Sequence, residues 1–380
     1  MGGDDHRRCH PVLQLVDRHG TGSGHSRRRA RLQLCGRCAA RFIRREGCAV
    51  TATGEPILRL RDLRVTFQTP AGPARAVRGV DLDVRAGESV AVVGESGSGK
   101  SVSMLATLGL LHNAEVSGSV KWGDTELVGA STDTLRSVRG RRIAMVFQDP
   151  MTSLNPVLTI GKQMSLVMKA HQPNLGKKEL RTKAVDLLNR LAIPQADRRI
   201  DAYPHELSGG MRQRVMIAMA ISNDPEVLIA DEPTTALDVT VQAQIMELLL
   251  KLRNEHNLAL VLITHDLGVV AGSADRVAVM YAGRIVERAP VLGLFASPGH
   301  PYTSALLDCL PRLDRRHDVV SSIGGTPPNP ADLPEGCPFA PRCPKAIDAC
   351  RSDEPNLVRI GTSDVACSVV AAGAAVGEPV

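Results

Sequence analysis

The sequence predicts an α/β fold with a smaller appendage, and three observations carry that expectation. A short apolar run, Ser89–Val93, leads into a glycine-rich turn and then into helical spacing over Lys100–Leu111. Further apolar runs at Ile143–Phe147, Val227–Ala230 and Leu258–Thr264 have the length of buried strands, and helical patterns separate them. Beyond Pro290 the periodicity fades and Pro and Cys become frequent, so a separate C-terminal module is expected there.

At 380 residues the chain has room for one large core and an appendage. Aromatic residues are only 2%, so that core must rest on Val, Leu, Ile, Ala and Met. No apolar run approaches the roughly 18 residues of a membrane span. Arg-rich stretches stand where a secretory signal would have its apolar middle, so the expected location is the cytosol. The net charge of +6 is unevenly placed: residues 1–50 carry +7 and the remainder sums to −1. A balanced body lacks the basic face that nucleic-acid binding needs.

Residues 1–54 are Arg-, Gly-, His- and Cys-rich with little periodicity. Disorder is the expectation there. A zinc knuckle around Cys35 and Cys38, with Cys9 and Cys48, is the weaker alternative; a true start at Val50, leaving the upstream stretch untranslated, is another. Ile57–Phe67 alternates like an edge strand, and Ala76–Val84 reads as its antiparallel partner. Gly161–Leu191 carries two helical patterns parted by a turn near Gln172–Gly176, and Met211–Asn223 and Val241–His256 are further helices. Short strands at Arg276–Met280 and Arg284–Glu287 are joined by Tyr281–Gly283.

The turn Gly94-Glu95-Ser96-Gly97-Ser98-Gly99-Lys100-Ser101 fits GxxxxGK[ST] between a predicted strand and a predicted helix. Its glycines let backbone N–H groups turn inward around phosphates, and the helix directs its positive end at the same charge. Lys100 is expected to reach the β- and γ-phosphates and Ser101 to bind Mg²⁺. The run Val227–Ala230 ends in Asp231 and Glu232, placed to hold Mg²⁺ and to act as general base, although an apolar strand meeting a solvated loop ends the same way. Leu207-Ser208-Gly209-Gly210-Met211 opens a long helix with free amides and a hydroxyl, a second anion site in one chain.

With these motifs together, the chain resembles an ATP-binding cassette (ABC) subunit from about Ile57 to Glu287. The resemblance implies a P-loop NTPase fold with a RecA-like core, an antiparallel β subdomain and an α-helical subdomain. Residues 55–290 would form the cassette and 291–380 a small Cys/Pro-rich module. It also implies roles by position. Gln148 resembles the Q-loop residue that senses Mg²⁺, and Asp238 in Thr-Ala-Leu-Asp the D-loop residue at a dimer seam. His265 in Ile-Thr-His-Asp resembles the switch histidine, and Phe67 lies where an aromatic ring stacks on adenine, though an ordinary strand position suits it too. In that family the Ser208–Gly210 tip of one subunit closes over the ATP of another.

Finer marks resemble the oligopeptide/dipeptide (and nickel) importer group. They are Phe147-Gln-Asp-Pro-Met-Thr-Ser-Leu-Asn-Pro156, His300-Pro-Tyr-Thr303 and Gly336-Cys337-Pro-Phe-Ala-Pro-Arg-Cys343-Pro. Ala289 departs from a common glycine and touches no phosphate contact. The group implies import of di- and oligopeptides through two permease subunits. It also implies a second ATP-binding subunit, an extracellular solute-binding protein, and a place on the cytoplasmic face of the cell membrane. Nickel or another small solute, a soluble ABC ATPase of DNA repair or translation, and an exporter subunit are the competing readings. A single cassette, the missing coiled-coil insertion and the balanced body charge speak against the soluble ATPase; the C-terminal marks speak against the exporter. Cys337, Cys343, Cys350 and Cys367 are separated by five, six and sixteen residues. Four thiolates suit a [4Fe–4S] cluster or Zn²⁺, a cytosolic disulfide is disfavoured, and no metal at all is also open.

Overall fold

The computed structural model describes residues 54–235, 237–310 and 322–376. The expectations for residues 1–53, including the cysteine pair and the start at Val50, lie outside the described residues.

The chain begins with two long strands, β1 (Leu58–Thr69) and β2 (Gly72–Val84), then β3 (Ser89–Val93) and helix α1 (Lys100–Thr107). Helix α1 is shorter than expected because Gly109, at φ +60°, turns the chain away after Leu108. Strands β4 (Ala114–Trp122) and β5 (Thr125–Glu126) follow, and the first sheet has the order β2-β1-β4-β5. β1 is therefore an interior strand, not the edge strand its alternation suggested. β4 has only a weak strand signature in the sequence, because Gly118 interrupts the alternation of Val116, Val120 and Trp122. That glycine marks a bulge: β1 slips register between Arg61 and Arg64 opposite it. Its φ is +94°, and a Cβ there would lie 2.3 Å from the Asp62 carbonyl oxygen.

β3 enters the second sheet with β6 (Ile143–Val146), β7 (Val227–Asp231), β8 (Ala259–Thr264), β9 (Arg276–Tyr281) and β10 (Arg284–Pro290). The order β9-β3-β8-β7-β6 is parallel throughout, and β10 adds to β9 antiparallel. Both faces are covered, which explains the unbroken apolar sequence of these strands. Along β7, Leu228 and Ala230 face a helical cluster, while Val227 and Ile229 face the first sheet and α1. The helical cluster comes from α2 (Ile160–Lys169), α3 (Lys177–Arg190), α4 (Gly209–Ile221) and α5 (Val239–His256). Met164, Met168, Leu180, Ala184, Leu188 and Ile217 are buried together there, with methionine filling irregular space where aromatic rings are scarce.

The tail beyond Pro290 does not stand apart. Helix α6 (Pro301–Asp308) is followed by β11 (Val358–Ile360) and β12 (Ser363–Val365), and α7 (Ser368–Val376) closes the described chain. β12 pairs with β10, so the tail extends the core sheet to eight strands. Two of the three tyrosines meet at this seam: the Tyr281 ring lies 4.6 Å from Tyr302 and 5.3 Å from Phe339, all fully buried. The buried Glu287 carboxylate accepts from the Gly299 and His300 amides, both at 2.8 Å, at the start of α6. His300 caps that helix, accepting from the Tyr302 amide at 3.0 Å, and burial pushes its imidazole down to about 4. At neutral pH it packs as an uncharged ring beside Phe339.

Gly118→Ala combines a left-handed backbone with a main-chain clash. It should lower stability by about 2 kcal/mol, read by calorimetry as a drop in Tm, and an unchanged Tm would place the bulge elsewhere.

Candidate functional site

The carboxyl ends of β3, β6, β7 and β8 lie side by side, and each delivers motif residues to one place. β3 runs into the turn Gly94–Gly99, where Gly94, Gly97 and Gly99 all have positive φ. Two of these glycines are imposed by packing as well as by conformation. A Cβ at Gly94 would lie 2.2 Å from the Met280 carbonyl, and one at Gly99 would lie 2.5 Å from that of Ala76. The turn is thus wedged between the end of β9 and strand β2, and Gly283 N–H donates to the Ser98 carbonyl at 3.0 Å to fix it.

Lys100 opens α1 and is only 5% exposed. Its ammonium donates to the Gly94 carbonyl at 2.8 Å and the Glu95 carbonyl at 2.9 Å. Burial pulls its pKa down, opposed by Glu232, Asp231 and Glu95. Ser101, one residue on, donates its hydroxyl to Asp231 Oδ1 at 2.8 Å. The two residues expected to share a cation are thus in direct contact across 130 positions of sequence.

Glu232 is the hub. Gln148 Nε2 donates to its Oε2 at 3.0 Å, the Thr235 hydroxyl donates to the same oxygen at 2.9 Å, and His265 Nδ1 lies 3.2 Å from Oε1. Its backbone stands at φ +43°, a left-handed conformation that a non-glycine side chain adopts at a cost. Burial pushes its carboxyl up, but Thr235, His265 and Lys100 outweigh that and hold it below its ordinary value. Asp231 goes the other way: burial dominates and raises it, Ser101 lowers it, and the neighbouring Glu232 raises it further. Two adjacent carboxyls are driven apart by their surroundings. Thr235 joins the site only through the fold, since a threonine three residues past an acid carries no distinguishing signal in sequence.

Other expected residues lie apart from this cluster. Ser208 is exposed and caps α4, accepting from the Met211 amide at 3.4 Å. Gly209 and Gly210 sit against the start of α5: a Cβ at Gly210 would lie 2.8 Å from Val241 Cγ1, and one at Gly209 would lie 3.6 Å from Leu237. Asp238 caps α5, its Oδ1 accepting from the Val241 amide at 2.9 Å. Phe67 is half-buried in β1, opposite Ala74 and Ala114, and packs against the first sheet. Cys337, Cys343, Cys350 and Cys367 line one small cavity with Phe339 and Pro355, away from the Lys100 cluster. Among the described residues, no group of three or more His, Cys, Asp or Glu is placed to hold a metal ion. Among the described residues, none of these side chains is hydrogen-bonded to the Lys100 cluster.

The ABC transporter family profile matches residues 77–235, and that of the oligopeptide/dipeptide transporter C-terminal region matches 286–350. The chain is 52% identical over 316 residues to the oligopeptide transport ATP-binding protein OppD of Mycobacterium tuberculosis. That alignment takes in 83% of this chain and 52% of OppD, so the chain spans about half the length of this relative. Identity to the oligopeptide transport ATP-binding protein AppD of Bacillus subtilis is 50% over 305 residues, 80% of this chain and 93% of AppD. Among solved structures, the dimeric post-hydrolysis state of the ATP-binding cassette MJ0796, bound to ADP and Pi, is similar at a TM-score of 0.56 and 31% identity. It covers 62% of this chain and 98% of that one. CbiO1 of Clostridium perfringens, part of the cbiONQ transporter complex, gives 0.55 at 28% identity, covering 64% and 92%.

The raised Asp231 carboxyl has a consequence for stability. A carboxyl whose folded value exceeds its unfolded one opposes folding once it ionises, and the penalty appears as pH rises through the folded value. In metal-free protein Asp231→Asn should therefore melt above the parent at neutral pH, with the gap closing on acidification below the ordinary carboxyl range. A lower Tm at neutral pH would show that the charge is compensated.

Proposed function

The chain belongs to the oligopeptide-type ATP-binding subunits of ABC transporters, and on that premise we propose that it binds and hydrolyses MgATP to drive uptake of short peptides through partner permeases. The observation that carries this reading is the convergence of Lys100, Ser101–Asp231 and the Gln148–Glu232–His265 triangle at one sheet edge.

The roles follow from the chemistry of each group. Amides of Gly94–Ser101 and the Lys100 ammonium hold the β- and γ-phosphates. Ser101, Asp231 and Gln148 offer hydroxyl, carboxylate and amide oxygens, a hard donor set that suits Mg²⁺. When bound there, Mg²⁺ neutralises charge on the transferring phosphoryl group. Glu232 takes the proton from the attacking water as its oxygen bonds to the γ-phosphorus and the bond to the β–γ bridging oxygen breaks. A carboxyl held below its ordinary value is ionised at neutral pH and ready for that step. Gln148, Thr235 and His265 hold it in place; His265, more than half exposed, is positioned to turn from Glu232 toward the γ-phosphate.

Ser208, Gly209 and Gly210 form a helix tip that caps itself rather than meeting its own phosphate turn, which supports the reading that it serves the site of a second ATP-binding subunit, with Asp238 at the seam. Exposed Met151 and Val157 within Asp149–Gln163, with Phe147 and Leu166 flanking it, give this region an apolar surface suited to a permease. Among the described residues no helix is long and apolar enough to cross a membrane. A peripheral place on the cytoplasmic face, with two permeases and an extracellular solute-binding protein, fits that finding. The cassette would span 55–290 and the importer-type module 291–380, with adenine stacking assigned to Phe67.

The cysteine cavity extends the proposal to a [4Fe–4S] cluster held by Cys337, Cys343, Cys350 and Cys367, with Zn²⁺ as the other soft-ligand choice. The four thiols line one cavity and match the group in donor chemistry, although they are not placed to hold a metal as they stand, so binding would require them to move closer. Burial pushes the Cys337 and Cys343 thiols up, so binding would release protons.

Glu232→Gln should keep MgATP binding while turnover falls at least about 100-fold, and it should accumulate an ATP-dependent dimer on size exclusion. Undiminished hydrolysis would remove Glu232 as base. Protein purified without oxygen should carry iron and visible absorbance; stoichiometric zinc, or neither metal, would reject the cluster.

A further inference from the structure

The phosphate turn is gripped from outside the cassette. Glu95, its second residue, places both carboxylate oxygens on one guanidinium: Arg342 Nη1 donates to Oε2 at 2.6 Å and Nη2 to Oε1 at 2.9 Å. The Glu95 amide donates to the Tyr302 hydroxyl at 2.8 Å, so α6 holds the same residue by its backbone. Neither partner belongs to a nucleotide motif, and they lie 247 and 207 residues away in sequence.

Arg342 is built in before it reaches Glu95. Its side chain is 4% exposed. Its Nε donates to the Gly324 carbonyl at 2.8 Å, Nη2 to that of Ile323 at 3.2 Å, and Nη1 to the Tyr281 hydroxyl at 3.2 Å. The guanidinium also lies about 6 Å from the Tyr281 and Phe339 ring centres. A planar fork fixed on this many sides presents itself in one orientation. The Glu95 carbonyl, meanwhile, accepts from both Lys100 and Ser98, so the carboxylate of the same residue sits beside the anion cradle. A free carboxylate there would repel phosphate and compete for the Lys100 ammonium.

We propose that Arg342 is a positioning residue for nucleotide binding: from the C-terminal segment it neutralises Glu95 and draws its carboxylate aside, leaving the turn amides and Lys100 to phosphate. This rests on the nucleotide reading of the site and adds to it a cassette whose affinity depends on the docked tail.

The test is titration of the full chain with trinitrophenyl-ATP and Mg²⁺, beside melting curves without nucleotide. Arg342→Gln should weaken binding about tenfold, the scale of one uncompensated charge near an anion site, and Glu95→Gln/Arg342→Gln should recover most of that loss. Arg342→Lys, which keeps the charge but loses the fork, should fall between, and it decides the matter if Arg342→Gln does not fold. A tail that merely staples the fold gives a double variant as weak as the single one, and that result overturns the proposal, as does parental affinity in Arg342→Gln or Arg342→Lys. If the unaltered chain binds no nucleotide, the reading of the site itself fails, an outcome distinct from parental affinity in the variants.

Discussion

Burying the Lys100 ammonium at the end of an apolar strand is the constraint that organises this molecule. A cation 5% exposed needs acceptors within hydrogen-bond reach, and its own turn supplies two carbonyls. That geometry requires left-handed backbone at Gly94, Gly97 and Gly99. It also requires neighbours close enough to hold the turn shut, supplied by Met280 and Ala76 carbonyls that leave no space for a side chain. The parallel sheet then brings Asp231 and Glu232 alongside as counter-charges, because β7 and β3 flank β8 with their carboxyl ends aligned.

The two acids pay unequal roles back to that arrangement. Asp231 faces the interior and is pushed toward its neutral form, tolerable where a divalent cation is its working partner. Glu232, on a left-handed backbone, collects Gln148, Thr235 and His265 and stays ionised. A strand ending with both side chains on ordinary β geometry would send successive residues to opposite faces. The unusual φ of Glu232 is what lets neighbours in sequence serve one site.

The tail matters to the site because it shares the sheet. β12 continues from β10, α6 is tied to the sheet by the Glu287 carboxylate, and the seam collects Tyr281, Tyr302 and Phe339. A chain poor in aromatic residues spends three of its nine where the tail meets the strand behind the phosphate turn. This seam supplies both contacts to Glu95, from Tyr302 and from Arg342.

The sequence alone determined the buried strands, most helices and the nucleotide motifs, since each is a local pattern: apolar runs of fixed length, 3.6-residue spacing, glycines at set offsets from a lysine. It also marked Gln148, Asp231, Glu232 and His265, which the fold gathers around one carboxylate or its neighbour. The interior place of β1, the extension of the core sheet by β12, and the grip of Thr235, Tyr302 and Arg342 on the site came only with the tertiary structure. Pairing between strands and contacts across 200 or more residues leave no periodic trace. They arise from which surfaces pack, and an isolated threonine, tyrosine or arginine reads the same in sequence whether it meets solvent or a phosphate turn.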